Sequence, residues 1–171
     1  MLKIIGASFI VVASGAVGFG FARAIRLQCA QLEGFLWALD YMQSEMSARL
    51  TPLAQIFSML GACRQKDVAL FFMEAARTLS QPPGCTVPVS FKRGFQASPA
   101  LCLGQDGVQA LYGLSMSLGR FELESQLAAI ERAKGSITSI LLSLQAQKRA
   151  RCRSYETIGV CAGLALAVIL L

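Results

Sequence analysis

The sequence predicts an all-α fold in which two terminal transmembrane helices continue into a cytoplasmic bundle of about six helices. Three observations predict it. An uncharged apolar run lies near each end of the chain, basic residues lie on the inner side of each run, and apolar residues between the runs recur every three or four positions. We therefore expect a span at 1–24, a bundle at 25–155 and a short second span at 156–171.

The N-terminal span is expected from a run of 19 uncharged residues, Ile4 to Ala22. At ~1.5 Å per residue this run covers roughly the ~30 Å of bilayer hydrocarbon, and one charge in its middle would cost about 2.5 to 3.5 kcal/mol. The C-terminal run from Thr157 to Leu171 is shorter, so Tyr155 would anchor it at the interface or the bilayer would thin. A cleaved signal peptide is the alternative at the N-terminus, but Arg23 directly after the run resists translocation.

The flanking charges predict a cell-membrane protein whose middle segment is cytoplasmic. Positively charged loops stay in the cytoplasm, and the outer ends carry only Lys3. The inner flanks carry six basic residues: Arg23, Arg26, Lys148, Arg149, Arg151 and Arg153. Attraction to lipid headgroups explains the net charge of +6, and no nucleic-acid site is expected.

The first cytoplasmic helix is predicted to continue from the N-terminal span and to end near Leu50. Its apolar stripe is Leu32, Phe35, Leu39, Met42 and Met46. Thr51 is expected to cap a second helix, with Pro52 at its first position and a left-handed Gly61 at its end. The residues that this helix would bury are Leu53, Ile56, Phe57 and Leu60.

Three further short helices are predicted. The third begins at Asp67, whose carboxylate would cap it, and buries Val68, Phe71, Phe72, Ala75 and Leu79. The fourth lies between Pro88 and Ala97, after a break at residues 82–84. The fifth begins beyond Gly104, ends at Gly119 and buries Val108, Leu111, Tyr112, Ser115 and Leu118.

The last helix is predicted from about Phe121 to Tyr155, roughly 50 Å long. Lys134 interrupts its apolar spacing, which is carried by Leu123, Leu127, Ile130, Ile137, Leu141 and Leu144. It would lie antiparallel to the first helix, with the shorter helices packed across the pair. Small residues in the spans would allow close packing of membrane helices, above all Gly18, Gly159 and Gly163.

The residue types argue against catalysis. The chain has no histidine, no C-x-x-C pair and no phosphate-binding glycine loop, so we expect no catalytic residue, metal, cofactor or small-molecule substrate. The six cysteines are expected to be buried free thiols, with acylation of Cys29 or Cys152 as an alternative. A membrane enzyme using Asp40 with Arg77 is the corresponding alternative for function.

Several short motifs follow one another along the chain. They are Arg23-Ala24-Ile25-Arg26 after the first span, Thr51-Pro52-Leu53 at the second helix, and Ser117-Leu118-Gly119-Arg120 before a helix containing Gln126. In this order they resemble the stage III sporulation protein AB family over essentially the whole chain. In that family an Asp commonly stands where this chain has Glu122.

The resemblance implies a component of the channel complex that links the mother cell and the forespore, located in the mother-cell membrane. Its helical domain would be similar to the cytoplasmic domain of the type II secretion and type IV pilus platform protein. Implied partners are a secretion-type ATPase, of the stage III sporulation protein AA type, and other membrane components of the complex. A pore-lining channel subunit is the alternative.

Partner contacts are expected where charged side chains begin the last helix far from the membrane. The expected residues are Gly119, Arg120, Glu122, Glu124 and Gln126. The alternative for each is structural: Gly119 would end a helix, and the acidic residues would complement the dipole of the next helix.

Overall fold

The computed structural model describes the backbone of residues 2–49, 51–81, 84–120 and 122–170, and the side chains of residues 23–49, 51–81, 84–120 and 122–147. Every regular element of this described backbone is an α-helix, which confirms the all-α prediction. The helices are α1 (Leu2–Arg49), α2 (Leu53–Leu60), α3 (Lys66–Ser80), α4 (Val87–Ala97), α5 (Gly104–Ser117) and α6 (Leu123–Leu170).

Among the residues that the structure describes, no helix has the length and apolar character needed to cross a membrane. The predicted spans at 4–22 and 157–171 lie outside the described side chains. So do Tyr155, Cys152 and the predicted helix-packing residues Gly18, Gly159 and Gly163. The two spans therefore stay predictions.

The chain divides into two compact units. One unit comprises Met1–Ile25 and Leu142–Leu171, and the other is Arg26–Leu141. The second unit, called the bundle below, contains the four short helices together with the inner parts of α1 and α6.

Phenylalanine rings form the centre of the bundle. Phe71 on α3 lies 5.3 Å from Phe35 on α1, 5.1 Å from Phe91 and 4.8 Å from Phe95 on α4, measured between ring centroids. Edge-to-face contacts of this kind add to the free energy gained by removing the rings from water. The stripes predicted for the first three helices are confirmed at the buried residues Leu32, Phe35, Leu39, Met42, Met46, Ile56, Phe57, Leu60, Val68, Phe71, Phe72 and Ala75. Leu53 and Leu79 were also predicted to be buried and are only half-buried.

The predicted helix caps are wrong at three places. The Thr51 hydroxyl donates to Glu45 Oε2 over 3.1 Å, and α2 starts after Pro52 with no side-chain cap. Gly61 has right-handed dihedral angles (φ −60°, ψ −15°) because the α2 backbone continues into an ordinary turn. Asp67 lies inside the first turn of α3 and accepts a hydrogen bond from Gln31, so Gln65 occupies the capping position.

The buried face of α5 also differs from the prediction. Val108 and Tyr112 are 41% and 49% exposed, whereas α5 buries Gly107, Leu111, Leu114 and Ser115. The face that carries Leu111, Leu114 and Ser115 packs inward. On this face a Cβ on Gly107 would lie 3.0 Å from Leu103 Cβ, whereas its 3.7 Å distance to Leu32 Cδ2 is ordinary contact.

Gln31 is a polar residue in the core with its hydrogen-bonding atoms satisfied. Its side chain is fully buried, and its Nε2 donates to Asp67 Oδ2 over 2.8 Å and to the Ala100 carbonyl over 2.9 Å. Its Oε1 accepts from the Cys102 backbone N–H over 2.7 Å. Gln31 therefore holds the loop between α4 and α5 against α1 and α3.

Lys134 links α6 to α1. Its Nζ lies 2.7 Å from Asp40 Oδ1 and 3.0 Å from both Gln43 Oε1 and Glu131 Oε1. The hydrogen bond to Asp40 raises the pKa of Lys134 above its ordinary value, although partial burial opposes this. The hydrogen bonds from Lys134 and Gln43 lower the pKa of Glu131.

We expect the stability of the bundle to fall at alkaline pH, in part because Lys134 loses its charge there. Because its folded-state pKa is raised, its contribution is fully present below the ordinary lysine value of 10.5 and is lost as the pH rises through the folded-state value. Lys134→Met should therefore flatten the alkaline decline of stability. The free energy of unfolding, followed by fluorescence of the single tryptophan, Trp37, at neutral and alkaline pH, measures this. Equal alkaline slopes for variant and parent would contradict it.

Candidate functional site

The turn between α5 and α6 brings the five predicted contact residues together. A hydrogen bond of 3.2 Å from Leu118 N–H to the Leu114 carbonyl closes α5, and Gly119 then takes a φ of +73°. Glycine adopts this left-handed conformation at no steric cost. A Cβ on Gly119 would lie 3.4 Å from Leu53 and 3.6 Å from Val87, so the backbone angle rather than lack of space requires glycine.

Gln126 fastens this turn to the first turn of α6. The Gly119 N–H donates to Gln126 Oε1 over 3.0 Å. The Gln126 N–H in turn donates to the Glu122 carbonyl over 3.1 Å. Gly119 therefore has the structural role given above as the alternative, because it ends α5 in a left-handed conformation. Gln126 accepts a hydrogen bond from the Gly119 N–H, and sequence spacing alone did not reveal this contact.

Arg120, Glu122 and Glu124 differ from these two residues because their side chains are exposed. Glu124 lies in the first turn of α6, where a carboxylate complements the positive end of the helix dipole. We call Gly119, Arg120, Glu122, Glu124 and Gln126 the α5–α6 edge. It presents one basic and two acidic side chains, and the Gly119 N–H is held by the Gln126 side chain.

A groove of about 390 Å³ adjoins the α5–α6 edge. Gly119 and Arg120 line one side of it. The remaining lining comes from the start of α2, the end of α3, the start of α4 with the two residues before it, and the residue after α5, namely Leu53, Ala54, Leu79, Cys85, Thr86, Val87, Pro88 and Leu118. Sequence reasoning missed this groove because its walls come from segments far apart in the chain.

The described residues contain no group of three or more His, Cys, Asp or Glu side chains placed to hold a metal ion. Asp40 pairs with Lys134 at 2.7 Å and Arg77 with Glu74 at 3.5 Å, so Asp40 and Arg77 do not form the pair that an enzyme was expected to use.

The prediction of buried thiols is wrong for the four cysteines that the structure describes. Cys29, Cys63 and Cys85 are partly exposed and Cys102 is exposed. Cys63 and Cys85 lie outside the helices and Cys102 lies in the loop before α5, where the backbone needs access to water.

Comparison with known proteins identifies the family. The family described as stage III sporulation protein AB matches residues 3–171. A solved structure of stage III sporulation protein AB is similar to this chain with a TM-score of 0.63 and 18% identity, and the match covers 70% of this chain and 94% of that one. At this identity the similarity shows the fold. No curated protein matches the chain. The match over residues 3–171 shows that the chain belongs to the stage III sporulation protein AB family, a family of sporulation proteins.

Proposed function

We propose that this chain is a non-catalytic membrane platform of a sporulation channel complex. In this role it docks a cytoplasmic secretion-type ATPase, of the stage III sporulation protein AA type, to envelope partners in the mother-cell membrane. The observation that carries the proposal is the α5–α6 edge, where exposed charges lie beside an apolar groove and Gly119 is hydrogen-bonded to Gln126.

The edge has the two features that protein recognition uses. Charged side chains at a rim steer association and set its orientation, while a groove receives an apolar side chain that supplies affinity. Arg120, Glu122 and Glu124 provide the charges, and Leu53, Leu79 and Leu118 provide apolar walls. The Gly119 N–H donates to the Gln126 side chain and the Gln126 N–H donates to the Glu122 carbonyl, so these hydrogen bonds reduce the conformational entropy that is lost when a partner binds.

The position of the edge on α6 gives a reason for a partner to dock there. The edge lies at the beginning of α6, a helix of 48 residues that continues into the predicted C-terminal span. A force applied by an ATPase at the edge would act directly on this helix. The enzyme alternative required Asp40 to act with Arg77, but Asp40 pairs with Lys134 and Arg77 pairs with Glu74. The pore-lining alternative depends on side chains outside the described ranges. No observation favours either alternative.

Charge reversal at the edge is expected to weaken ATPase binding. The variant Glu122→Lys with Glu124→Lys should reduce co-purification of the ATPase from sporulating cells roughly tenfold, because two rim charges become repulsive to their partner groups. Low salt should enhance the difference, since screening weakens exposed charge interactions.

The matched control reverses two exposed acidic residues elsewhere, Glu33→Lys with Asp106→Lys. It changes the net charge by the same amount, and Asp106 lies in the first turn of α5 as Glu124 does in α6. Retained binding in the control and loss in the edge variant support the proposal. Equal co-purification with both variants would remove the α5–α6 edge as the docking site.

A further inference from the structure

Helix α1 carries two stacked aromatic side chains at the surface of the bundle. Trp37 and Tyr41 are one helical turn apart, their ring centroids are 5.8 Å apart and their planes are inclined by only 17°. The Tyr41 hydroxyl donates to Met59 Sδ on α2 over 3.2 Å, which holds the tyrosine ring in place. Trp37 is nevertheless 50% exposed. The stack therefore presents a positioned indole ring to solvent.

Carboxylates flank this stack. Glu33 is exposed and precedes Trp37 by four residues, a spacing that places two Cβ atoms about 5 to 6 Å apart on a helix surface. Asp40 follows Trp37 by three residues, and its side chain is 61% exposed. Glu131 on α6 is 55% exposed and lies close to Asp40, since both carboxylates contact Lys134 Nζ. The indole ring thus lies among three carboxylates and one lysine.

Glu33 is the carboxylate of this surface that has no counter-charge. Lys134 Nζ lies 2.7 Å from Asp40 and 3.0 Å from Glu131, so these two acidic residues share it. Arg64 and Lys66 belong to the loop after α2, and neither forms an ion pair with Glu33. Among the residues that the structure describes, no basic nitrogen lies within 4 Å of the Glu33 carboxylate.

An arginine side chain fits the combination of an indole ring and an unpaired carboxylate. Its planar guanidinium group stacks on an aromatic face, while its N–H groups pair with carboxylate oxygens. An acidic ligand would be repelled by Glu33 and Asp40. A purely apolar ligand would remove water from Glu33 without supplying a positive charge. Charge complementarity therefore selects a basic occupant, and the exposed Trp37 ring favours arginine over lysine.

We propose that this face of α1 docks a basic segment of another protein, with an arginine side chain stacked on Trp37 and paired with Glu33. Tryptophan and arginine are among the residues that contribute most binding energy at protein interfaces. Further basic residues of the segment would meet Asp40 and Glu131, which together have only Lys134 as a counter-charge. The site shares no residue with the α5–α6 edge, so it does not depend on the docking of an ATPase there.

Titration of the 171-residue chain in a neutral detergent with short peptides tests this chemistry. Trp37 is the single tryptophan, so its fluorescence reports on the site itself. A peptide with three arginines should change the emission saturably. The same peptide with citrulline, which has a similar shape and no charge, should bind roughly tenfold more weakly, and a lysine peptide should lie between the two. Equal binding of the arginine and citrulline peptides, or no saturable change with any peptide, would overturn the proposal.

Glu33→Gln isolates the ion pair, because it removes the charge and keeps the size of the side chain. Affinity for the arginine peptide should fall roughly fivefold. Asp106→Asn is the matched control, since it removes one exposed negative charge on α5 and should leave the affinity unchanged. Trp37→Leu, measured by calorimetry, should also lower the affinity roughly fivefold. Circular dichroism verifies the fold of each variant. Equal affinities for Glu33→Gln and Asp106→Asn would show that Glu33 does not bind the arginine and would overturn the proposal.

Photocrosslinking in sporulating cells identifies the natural occupant. Ser44 is exposed and lies on the same side of α1 as Trp37 by the 3.6-residue period. With p-benzoylphenylalanine at position 44, illumination should link the chain to a protein segment that contains arginine, and Glu33→Gln should lower the yield. The control carries the crosslinker at position 89, where Val89 is 42% exposed on α4, and should not give this link. A link from position 44 to lipid or to a segment without arginine, or no link at all, would overturn the proposal.

Discussion

Replacing Phe71 by alanine is expected to lower the free energy of unfolding of the bundle by about 3 to 5 kcal/mol. Phe71 is fully buried, and its ring contacts Phe35 on α1, Phe72 on its own helix, and Phe91 and Phe95 on α4. Removing the ring leaves a cavity bordered by three helices that are fixed by their own packing. Because the cavity cannot collapse fully, the folded state loses both the free energy of burying the ring and its van der Waals contacts.

Denaturant unfolding followed by Trp37 fluorescence measures this loss, since Trp37 is the one tryptophan of the chain and lies on α1. Leu70→Ala is the matched control, because the neighbouring side chain is 45% exposed and its truncation should change the free energy by less than about 0.5 kcal/mol. Phe71→Leu keeps part of the volume and should fall between the two. Similar losses for Leu70→Ala and Phe71→Ala would show that Phe71 is not central to the core.

Gly94→Ala is expected to destabilise the bundle by about 1 to 3 kcal/mol, although alanine normally favours a helix over glycine. A Cβ at Gly94 would lie 2.8 Å from Phe71 Cδ2 and 2.9 Å from both Phe71 Cε2 and the Phe71 carbonyl oxygen. Two of these atoms belong to a packed ring and one to the α3 backbone. Neither can move without disturbing the aromatic centre, so α4 would have to move away from α3.

Gly135→Ala gives the control with the opposite sign. Gly135 lies within α6 with nothing within 4 Å of an added Cβ, so alanine there should stabilise by about 0.5 to 1 kcal/mol. The midpoint of thermal unfolding should fall for Gly94→Ala and rise for Gly135→Ala. Combining Gly94→Ala with Phe71→Leu should cost less than the sum of the two single changes, because the smaller side chain makes room for the methyl group. Strict additivity would contradict the clash.

Sequence patterns predicted the first three stripes because long apolar side chains recur there with little ambiguity. Phe35, Phe57 and Phe72 each lie at the centre of a three-four repeat, and burial of such rings outweighs other local preferences. The family resemblance likewise depended on the order of short motifs, which the match over residues 3–171 supports. The edge residues were expected from their position at the start of the last helix.

Local patterns failed where a neighbouring element decided the outcome. Thr51 and Asp67 have side chains suited to capping, but Glu45 and Gln31 offered them stronger partners from α1. On α5 two apolar faces competed, and the sequence could not show which one would pack inward. In the structure the face that carries Leu111 and Leu114 packs inward, with these side chains 1% and 2% exposed.

By itself the sequence determined the helical class, the helix order and the residues of the aromatic centre, because these depend on periodicity and on the free energy of burying large apolar side chains. The tertiary structure alone decided which face of α5 stays exposed, where the caps form and how four distant segments build the groove beside Gly119. Those features depend on distances between elements, and no local pattern records a distance to a residue that is far away in the chain.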